Sequence, residues 1–133
     1  MNKLSFIQVQ KNNPQHCETF KQMMVPYNRE LGVKKPDGTP YGDEFMMKWA
    51  QSCIDMQGPF DRHLELAYID NVPIGFIYGK VDHEGHKGFI KPEYGYIMEF
   101  YVEPEYRRKG YGTEMFLRLE ELFSAHGVKR MQC

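Results

Sequence analysis

The pattern of apolar positions along the chain predicts five strands. They are residues 4–9, 64–69, 72–80, 94–102 and 128–133. Asp70 and Asn71 separate the second strand from the third, and this pair of residues is typical of a tight hairpin turn. The second and third strands are therefore predicted to pair in antiparallel fashion.

A first helix is predicted after the first strand. Asn13 followed by Pro14 is typical of a helix start, with Asn as the N-cap and Pro at the first helical position. The apolar side of this helix reaches Tyr27, and Pro26 is expected to disturb it. Residues 31–42 have the composition of a loop.

Two further helices are predicted from apolar residues at helical spacing. One covers residues 43–57, where Gly58-Pro59 stops it, and the other covers residues 110–125, with Gly127 as C-cap. Arg118 is expected on the polar face of the third helix. The predicted order is thus strand, two helices, three strands, helix, strand, with a polar connection over residues 82–92.

The segment from Glu99 to Thr113 joins an apolar strand to a cationic turn that opens the third helix. The first N–H groups of a helix lack intrahelical partners, and the helix dipole is positive there. Gly110 and Gly112 lack a Cβ and let a ligand approach the main chain. This layout indicates a phosphate site. It is neither a Walker loop, since no Gly-Lys-Ser/Thr follows, nor the dinucleotide fingerprint, whose third glycine position holds Met115.

The turn carries a resemblance to a known family. Arg107-Arg108-Lys109-Gly110-Tyr111-Gly112 fits the Arg/Gln-x-x-Gly-x-Gly/Ala signature of the GNAT superfamily of acyl-coenzyme A dependent N-acyltransferases. The preceding Val102-x-Pro104-Glu105-Tyr106 is similar to the usual lead-in of that signature. The motif covers about fifteen residues, and the predicted order of elements matches the family over the whole chain.

The resemblance implies a fold of the α/β (α+β) class, with a mixed, mostly antiparallel sheet flanked by helices. The length of 133 residues predicts a single domain over residues 1–133. In that family the fourth and fifth strands run parallel and splay apart, and the pantetheine arm of acetyl-CoA lies in the gap. The implied cofactor-binding residues are Phe100, Tyr101 and Val102 through their backbones, and Arg107, Arg108, Lys109, Gly110, Tyr111, Gly112 and Thr113 around the pyrophosphate.

The resemblance also implies catalytic and acceptor-binding residues. The backbone N–H of Phe100 is the implied oxyanion donor, and Glu99 is the implied base or amine binder, with a plain solvent-facing role as the alternative. Tyr96 is expected on the same face as Phe100, at a position where histone-type relatives have glutamate. Tyr27 is the candidate for acceptor binding.

The sequence ends at Cys133, before the point where the family commonly places a tyrosine that protonates the leaving thiolate. The expected function is acetyl transfer from acetyl-CoA to a primary amine of a small molecule or peptide by direct attack. The alternatives are an acyl-CoA-binding module without catalysis and a plain nucleotide-phosphate binder. The edge near residues 128–133 is also predicted to support a homodimer.

Composition narrows the function classes. With 17 basic and 18 acidic residues the net charge is −1, so neither nucleic acid nor a membrane surface is an expected partner. The N-terminus has no apolar targeting segment, and three widely spaced cysteines indicate a reducing cytoplasm. His83, Glu84 and His86 are metal-ligand types in a polar connection, and no metal is predicted.

Overall fold

The computed structural model describes residues 3–57, 62–82, 94–125, 128 and 130–132. Its elements follow the predicted order. They are β1 (Ser5–Gln8), α1 (Pro14–Leu31), α2 (Asp43–Asp55), β2 (Arg62–Ile69), β3 (Val72–Asp82), β4 (Tyr94–Val102), a short 3-10 helix (Pro104–Tyr106), α3 (Tyr111–Ala125) and β5 (Arg130–Gln132). Gly58-Pro59, the connection over residues 83–93, and Gly127 lie outside the described residues.

The five strands form one sheet in the order β1-β2-β3-β4-β5. The first four pair in antiparallel fashion, and β5 runs parallel to β4. This confirms the mixed, mostly antiparallel α+β fold. Asp70 and Asn71 form the turn between β2 and β3 with φ of 46° and 65°, the left-handed conformation that a two-residue hairpin requires.

The described chain divides into two compact units, residues 9–56 and the remainder. The first unit contains α1 and α2. Asn13 caps α1 by accepting from the His16 N–H at 3.1 Å, and Gly32 ends it in the left-handed conformation, with φ of 66°. The exposed ion pair of Arg29 with Asp43, at 3.0 Å, connects the end of α1 to the start of α2.

The helix α1 continues through Pro26, so the expected disturbance at that residue was wrong. Proline removes one backbone hydrogen bond and costs about 3 kcal/mol inside a helix. Burial of apolar side chains on both sides of Pro26, among them Phe20, Met24 and Tyr27, offsets this cost. Packing therefore overrides the local signal of the proline.

The second unit contains the sheet, with α3 packed on one face. Its core includes Ile77 of β3, Val102 of β4 and Leu119 of α3. A Cβ atom added at Gly79 or Gly95 would collide with the Phe123 ring of α3. These glycines let the helix approach the sheet closely.

The buried carboxylate of Glu65 on β2 forms an ion pair with the partly exposed Arg118 of α3 within this unit. Nε and Nη2 of Arg118 donate to the two carboxylate oxygens at 2.8 and 2.9 Å, and Nε2 of His63 lies 2.9 Å from Oε2. Burial raises the pKa of the Glu65 carboxyl, but the hydrogen bonds from His63 and Arg118 outweigh it and lower that pKa from 4.5 to about 2. Arg118, expected on the polar face of α3, is partly exposed, and its guanidinium fixes α3 to the sheet.

An extra residue interrupts the pairing of β4 with β3. Tyr78 pairs with Glu99 and Gly79 with Ile97, so Met98 forms a β-bulge. A bulge shifts the alternation of side chains by one residue. As a result both Ile97 and Phe100 pack against the core under α3.

The expectation that Tyr96 shares a face with Phe100 was therefore wrong. Tyr96 pairs with Lys80, whose Nζ lies 5.5 Å from the centre of its ring. Lys80 shares a face with Tyr78 because the two are separated by one residue of β3. Tyr96 thus lies on the face away from α3.

Candidate acetyl-CoA site

One edge of β4 is only partly covered. Its pairing with β5 runs from Tyr94 with Arg130 to Tyr96 with Gln132. The described part of β5 ends at Gln132, so this pairing does not reach residues 98–102. Successive residues of a strand point their N–H and C=O groups toward opposite neighbours, and the Tyr101 carbonyl lies beside Gly75 of β3. Phe100 and Val102 therefore present main-chain groups at this edge.

A compact turn follows β4. The Glu103 N–H donates to the Ile74 carbonyl at 2.7 Å, which keeps the end of β4 against β3. Arg107 donates its N–H to the Pro104 carbonyl at 3.2 Å and its side-chain Nε–H to the Val102 carbonyl at 2.8 Å. The Arg107 side chain therefore connects the turn to the last residue of the strand.

The turn then passes through two residues in the left-handed conformation, Arg108 with φ of 64° and Gly110 with φ of 85°. Turns of this kind direct successive N–H groups into one concavity that accepts anions. The first hydrogen bond into α3 runs from the Glu114 N–H to the Gly110 carbonyl at 3.3 Å. The N–H groups of residues 111–113 have no acceptor among the described residues.

Positive charge surrounds these N–H groups. Arg108 and Lys109 are exposed, and the Lys109 Nζ lies 5.8 Å from the centre of the Tyr106 ring. The Tyr106 ring in turn lies 6.3 Å from that of Tyr111. The dipole of the 15-residue helix α3 adds positive potential at the same point. The arrangement suits an anionic group such as a phosphate.

Glu99 lies beside Phe100 but on the opposite face of the sheet. Phe100 packs against the core under α3, whereas Glu99 pairs with Tyr78 on the other face and is partly exposed. Tyr101 shares the face of Glu99, and its ring stacks on Phe76 at 5.8 Å. The backbone N–H of Phe100 lies in the plane of the sheet, next to the carboxylate-bearing residue.

The predicted site residues thus fall into two groups. The structure brings residues 99–102 and 107–113 together at the end of β4. Tyr27 belongs to the other unit, where it is buried in α1. Sequence reasoning missed Tyr78 and Arg62 on the face of Glu99, because their positions in β3 and β2 carry no motif.

Two further findings concern metal ligands and membrane-spanning helices. Within the described residues, no three His, Cys, Asp or Glu side chains come together in a way that could hold a metal ion. His83, Glu84 and His86 lie outside the described residues. None of the helices in the described ranges is long and apolar enough to cross a membrane.

Comparison with known proteins identifies the family. Residues 26–133 match the sequence model of the acetyltransferase (GNAT) family. The chain belongs to this family, whose members are acyltransferases. A comparison with curated proteins finds no match.

Solved structures of GNAT proteins share the fold. Aminoglycoside N-acetyltransferase AAC(6')-Iy, in complex with CoA, has a TM-score of 0.70 at 15% identity, over 98% of this chain and 76% of that chain. A second structure of that enzyme contains the bisubstrate analogue CoA-S-monomethyl-acetylneamine. It has a TM-score of 0.69 at 15% identity, over 98% of this chain and 78% of that chain.

Two further structures come from named bacteria. A GCN5-related N-acetyltransferase from Ralstonia eutropha has a TM-score of 0.71 at 16% identity, over 98% of this chain and 82% of that chain. A predicted acetyltransferase from Clostridium acetobutylicum with acetyl-CoA has a TM-score of 0.69 at 13% identity, over 98% of this chain and 79% of that chain. Identities this low show a common fold, and they do not transfer a substrate.

Proposed function

We propose that this chain binds acetyl-CoA and transfers its acetyl group to a primary amine of a small molecule or peptide. One observation carries the proposal: the part of β4 beyond its pairing with β5 leads into the turn of residues 107–113, where the N–H groups at the start of α3 lack acceptors within the described chain. Neighbours of the same fold hold CoA or acetyl-CoA. The cytoplasm is the proposed compartment, which the three widely spaced cysteines of the sequence support.

Acetyl-CoA has two parts that suit the two parts of this site. The amides of its pantetheine arm would pair with the main chain of residues 100–102 in the manner of an added strand. Its pyrophosphate would accept hydrogen bonds from the N–H groups of Tyr111, Gly112 and Thr113. Arg108 and Lys109 would add attraction at the same end of the molecule, whereas Arg107 mainly holds the turn in place.

In the proposed reaction the amine nitrogen lies next to the carbonyl carbon of the thioester. The amine nitrogen attacks the carbonyl carbon, the new C–N bond forms, and the C–S bond breaks to release CoA as its thiolate, which takes a proton from solvent. The Phe100 N–H stabilises the negative charge that develops on the carbonyl oxygen. Glu99 binds the amine or takes up its proton through water. Tyr27 is assigned to acceptor binding on the family resemblance.

The neighbours suggest which amines to test first. One of them is an aminoglycoside N-acetyltransferase, and its bisubstrate analogue contains acetylneamine. A panel of neamine, spermidine and a short peptide with a free amino terminus covers the proposed classes. Thiol release from acetyl-CoA, with mass detection of the acetylated amine, should identify at least one acceptor.

The variant Glu99→Gln tests the role of the carboxylate. We expect turnover to fall about tenfold or more, while the dissociation constant for CoA stays the same, because a general base typically contributes about a hundredfold or more. CoA binding without acetylation of any amine in a broad panel would instead support an acyl-CoA-binding module. Equal binding of ATP and CoA would indicate a nucleotide-phosphate binder.

A further inference from the structure

The helix α2 exposes two large aromatic side chains on one side. Phe45 is 46% exposed and Trp49 is 44% exposed. Their separation of four residues places them one turn apart on the same side of the helix. The Tyr41 ring, which precedes the helix, stacks on Phe45 with 4.3 Å between the ring centres. We call Tyr41, Phe45 and Trp49 the α2 aromatic surface, and it lies entirely within the unit of residues 9–56.

An exposed aromatic surface of this kind is typical of a contact with another molecule. Single exposed apolar side chains are common, whereas neighbouring aromatic side chains are enriched at protein interfaces. The packing of α2 within its own unit uses the other side of the helix, where Met46, Ala50 and Cys53 are buried. Phe45 and Trp49 thus keep nearly half of their surface accessible to a partner.

The charges beside the α2 aromatic surface are balanced. Glu44 and Lys48 lie one turn apart on α2, and both side chains are exposed. Their charged atoms are 3.8 Å apart, and an exposed pair of this kind contributes little to stability. Asp43, the other acidic residue of the first turn, is paired with Arg29 at 3.0 Å. The surface therefore has no excess charge that would repel an identical surface.

An antiparallel pairing of two copies of α2 suits both the rings and the charges. With a two-fold axis between residues 46 and 47, Phe45 of one copy lies within about 1.5 Å of the level of Trp49 of the other. The same axis brings Glu44 of one copy within about 1.5 Å of the level of Lys48 of the other. A parallel pairing would bring like charges together, which is unfavourable across an interface. The order of the charges therefore selects the antiparallel direction.

We propose that a second copy of this chain binds the α2 aromatic surface, and that the two copies pair through α2 in antiparallel fashion about a two-fold axis. Phe45 and Trp49 supply the apolar contact, and two contacts of Glu44 with Lys48 between the copies set the direction. This contact differs from the edge near residues 128–133 that the sequence indicated. It is independent of the proposed function, because it requires neither acetyl-CoA nor an amine.

A second exposed apolar surface provides the comparison. Phe116 and Leu117 of α3 are 37% and 50% exposed. An antiparallel pairing centred on Leu117 would bring Glu120 of one copy to the level of Glu114 of the other. Because two acidic residues repel each other there, α3 is not expected to pair with itself. Leu117→Glu is therefore the matched control for a substitution on α2.

Sedimentation velocity of the full chain, from low micromolar to near-millimolar concentrations and with reductant, measures the association. The unsubstituted chain should show a reversible equilibrium between monomer and dimer. Trp49→Glu should raise the dissociation constant about thirtyfold or more, because an aromatic residue at the centre of an interface typically contributes at that level. Leu117→Glu introduces the same charge on the other exposed surface and should leave the dissociation constant unchanged.

Two charge reversals test the direction of the pairing. Glu44→Lys leaves only positive charge and Lys48→Glu leaves only negative charge at this pair of positions, so each variant should associate with itself more weakly than the unsubstituted chain. An equal mixture of the two should form a mixed dimer of the original affinity, because each contact then joins opposite charges. Both variants lack the ion pair within the helix, so recovery in the mixture reports contacts between the copies.

Trp49 is the single tryptophan of the chain, and its fluorescence reports on the contact directly. Its emission should shift to shorter wavelength as the dimer forms. A monomer at every concentration would overturn the proposal, as would a dimer that persists in Trp49→Glu or a mixture of the reversed variants that associates no better than either alone. If Trp49→Glu does not fold, the charge reversals decide, because they alter only exposed side chains.

Discussion

The Nε–H of Arg107 donates to the main-chain carbonyl of Val102 at 2.8 Å. This bond joins the first residue of the signature turn to the last residue of β4. It fixes the distance between the strand edge proposed for pantetheine and the N–H groups proposed for pyrophosphate. The guanidinium also lies 5.6 Å from the centre of the Tyr101 ring, which limits its orientation.

Arg107→Ala should weaken CoA binding by loosening this connection. Loss of a hydrogen bond of this kind costs about 1 kcal/mol, which corresponds to roughly a fivefold rise in the dissociation constant if the turn must be reordered on binding. Arg107→Lys should not restore affinity, because the lysine ammonium does not reproduce the geometry of Nε. Calorimetry with CoA checks both variants, and full affinity in Arg107→Ala would contradict this role.

The two signature glycines should respond differently to substitution. Gly110 has φ of 85°, so Gly110→Ala strains the backbone and should lower the free energy of unfolding by about 1 kcal/mol, although nothing lies within 4 Å of the added Cβ. Gly112 has no positive φ, and its added Cβ would meet only Phe100 Cε1 at 3.9 Å. Gly112→Ala should therefore leave the protein as stable or slightly more stable.

CoA affinity should nevertheless fall in Gly112→Ala, and fall further in Gly112→Val, because the side chain occupies the space of the approaching pyrophosphate. Thermal melting and calorimetry on the same samples separate stability from binding. Gly42→Ala is the control, since Gly42 also has open space around it but lies in the other unit. An unchanged affinity for CoA in Gly112→Val would contradict the close approach of the pyrophosphate to the main chain.

Arg108 occupies a left-handed conformation that costs a residue other than glycine roughly 1 kcal/mol. Arg108→Gly should relieve this strain and raise the melting temperature by a few degrees. The same variant should bind CoA less tightly and with a weaker dependence on salt, because it removes a cation next to the phosphates. We therefore expect the melting temperature to rise while the affinity for CoA falls. A change of both in the same direction would contradict this prediction.

Glu65 should make the free energy of unfolding depend on pH in the acidic range. Its pKa of about 2 lies below the ordinary 4.5, so its stabilising contribution is complete above pH 4.5 and is lost as the pH falls through 2. Arg118→Leu leaves a carboxylate that is 4% exposed without its main partner and should cost about 3 kcal/mol.

Chemical denaturation between pH 2 and 7 measures this effect. In Glu65→Gln the free energy of unfolding should vary less with pH between 4.5 and 2 than in the unsubstituted protein. The exposed pair of Lys48 with Glu44 offers a control, because Glu44→Gln should leave the profile nearly unchanged. Identical profiles for Glu65→Gln and the unsubstituted protein would contradict the assignment.

Local signals in the sequence were sufficient for most of the fold. The Asp70-Asn71 turn and the bounds of β4 were predicted correctly, because turn chemistry and apolar patterning act over a few residues. The helix through Pro26 was not predictable in this way, since packing between distant residues decides it. The pairing of Glu65 with Arg118 depends on two residues 53 positions apart.

The candidate site was only half predictable for the same reason. The signature turn is contiguous, so residues 107–113 could be assigned from the family motif. The bulge at Met98 arises from the register of β3 against β4, which no short motif encodes. It reverses the facing expected for Tyr96 and brings Tyr78 opposite Glu99. The register therefore decides which side chains accompany the proposed base.

The most direct test of the acetyl-CoA site is an amide NMR titration of the full chain with CoA. The central claim predicts saturable shifts that are largest at Phe100–Val102 and at Tyr111, Gly112 and Thr113, with smaller effects along the rest of α3. Gly112→Val should abolish them at the same CoA concentrations. Saturable shifts confined to other parts of the chain, or none at millimolar CoA, would contradict the account.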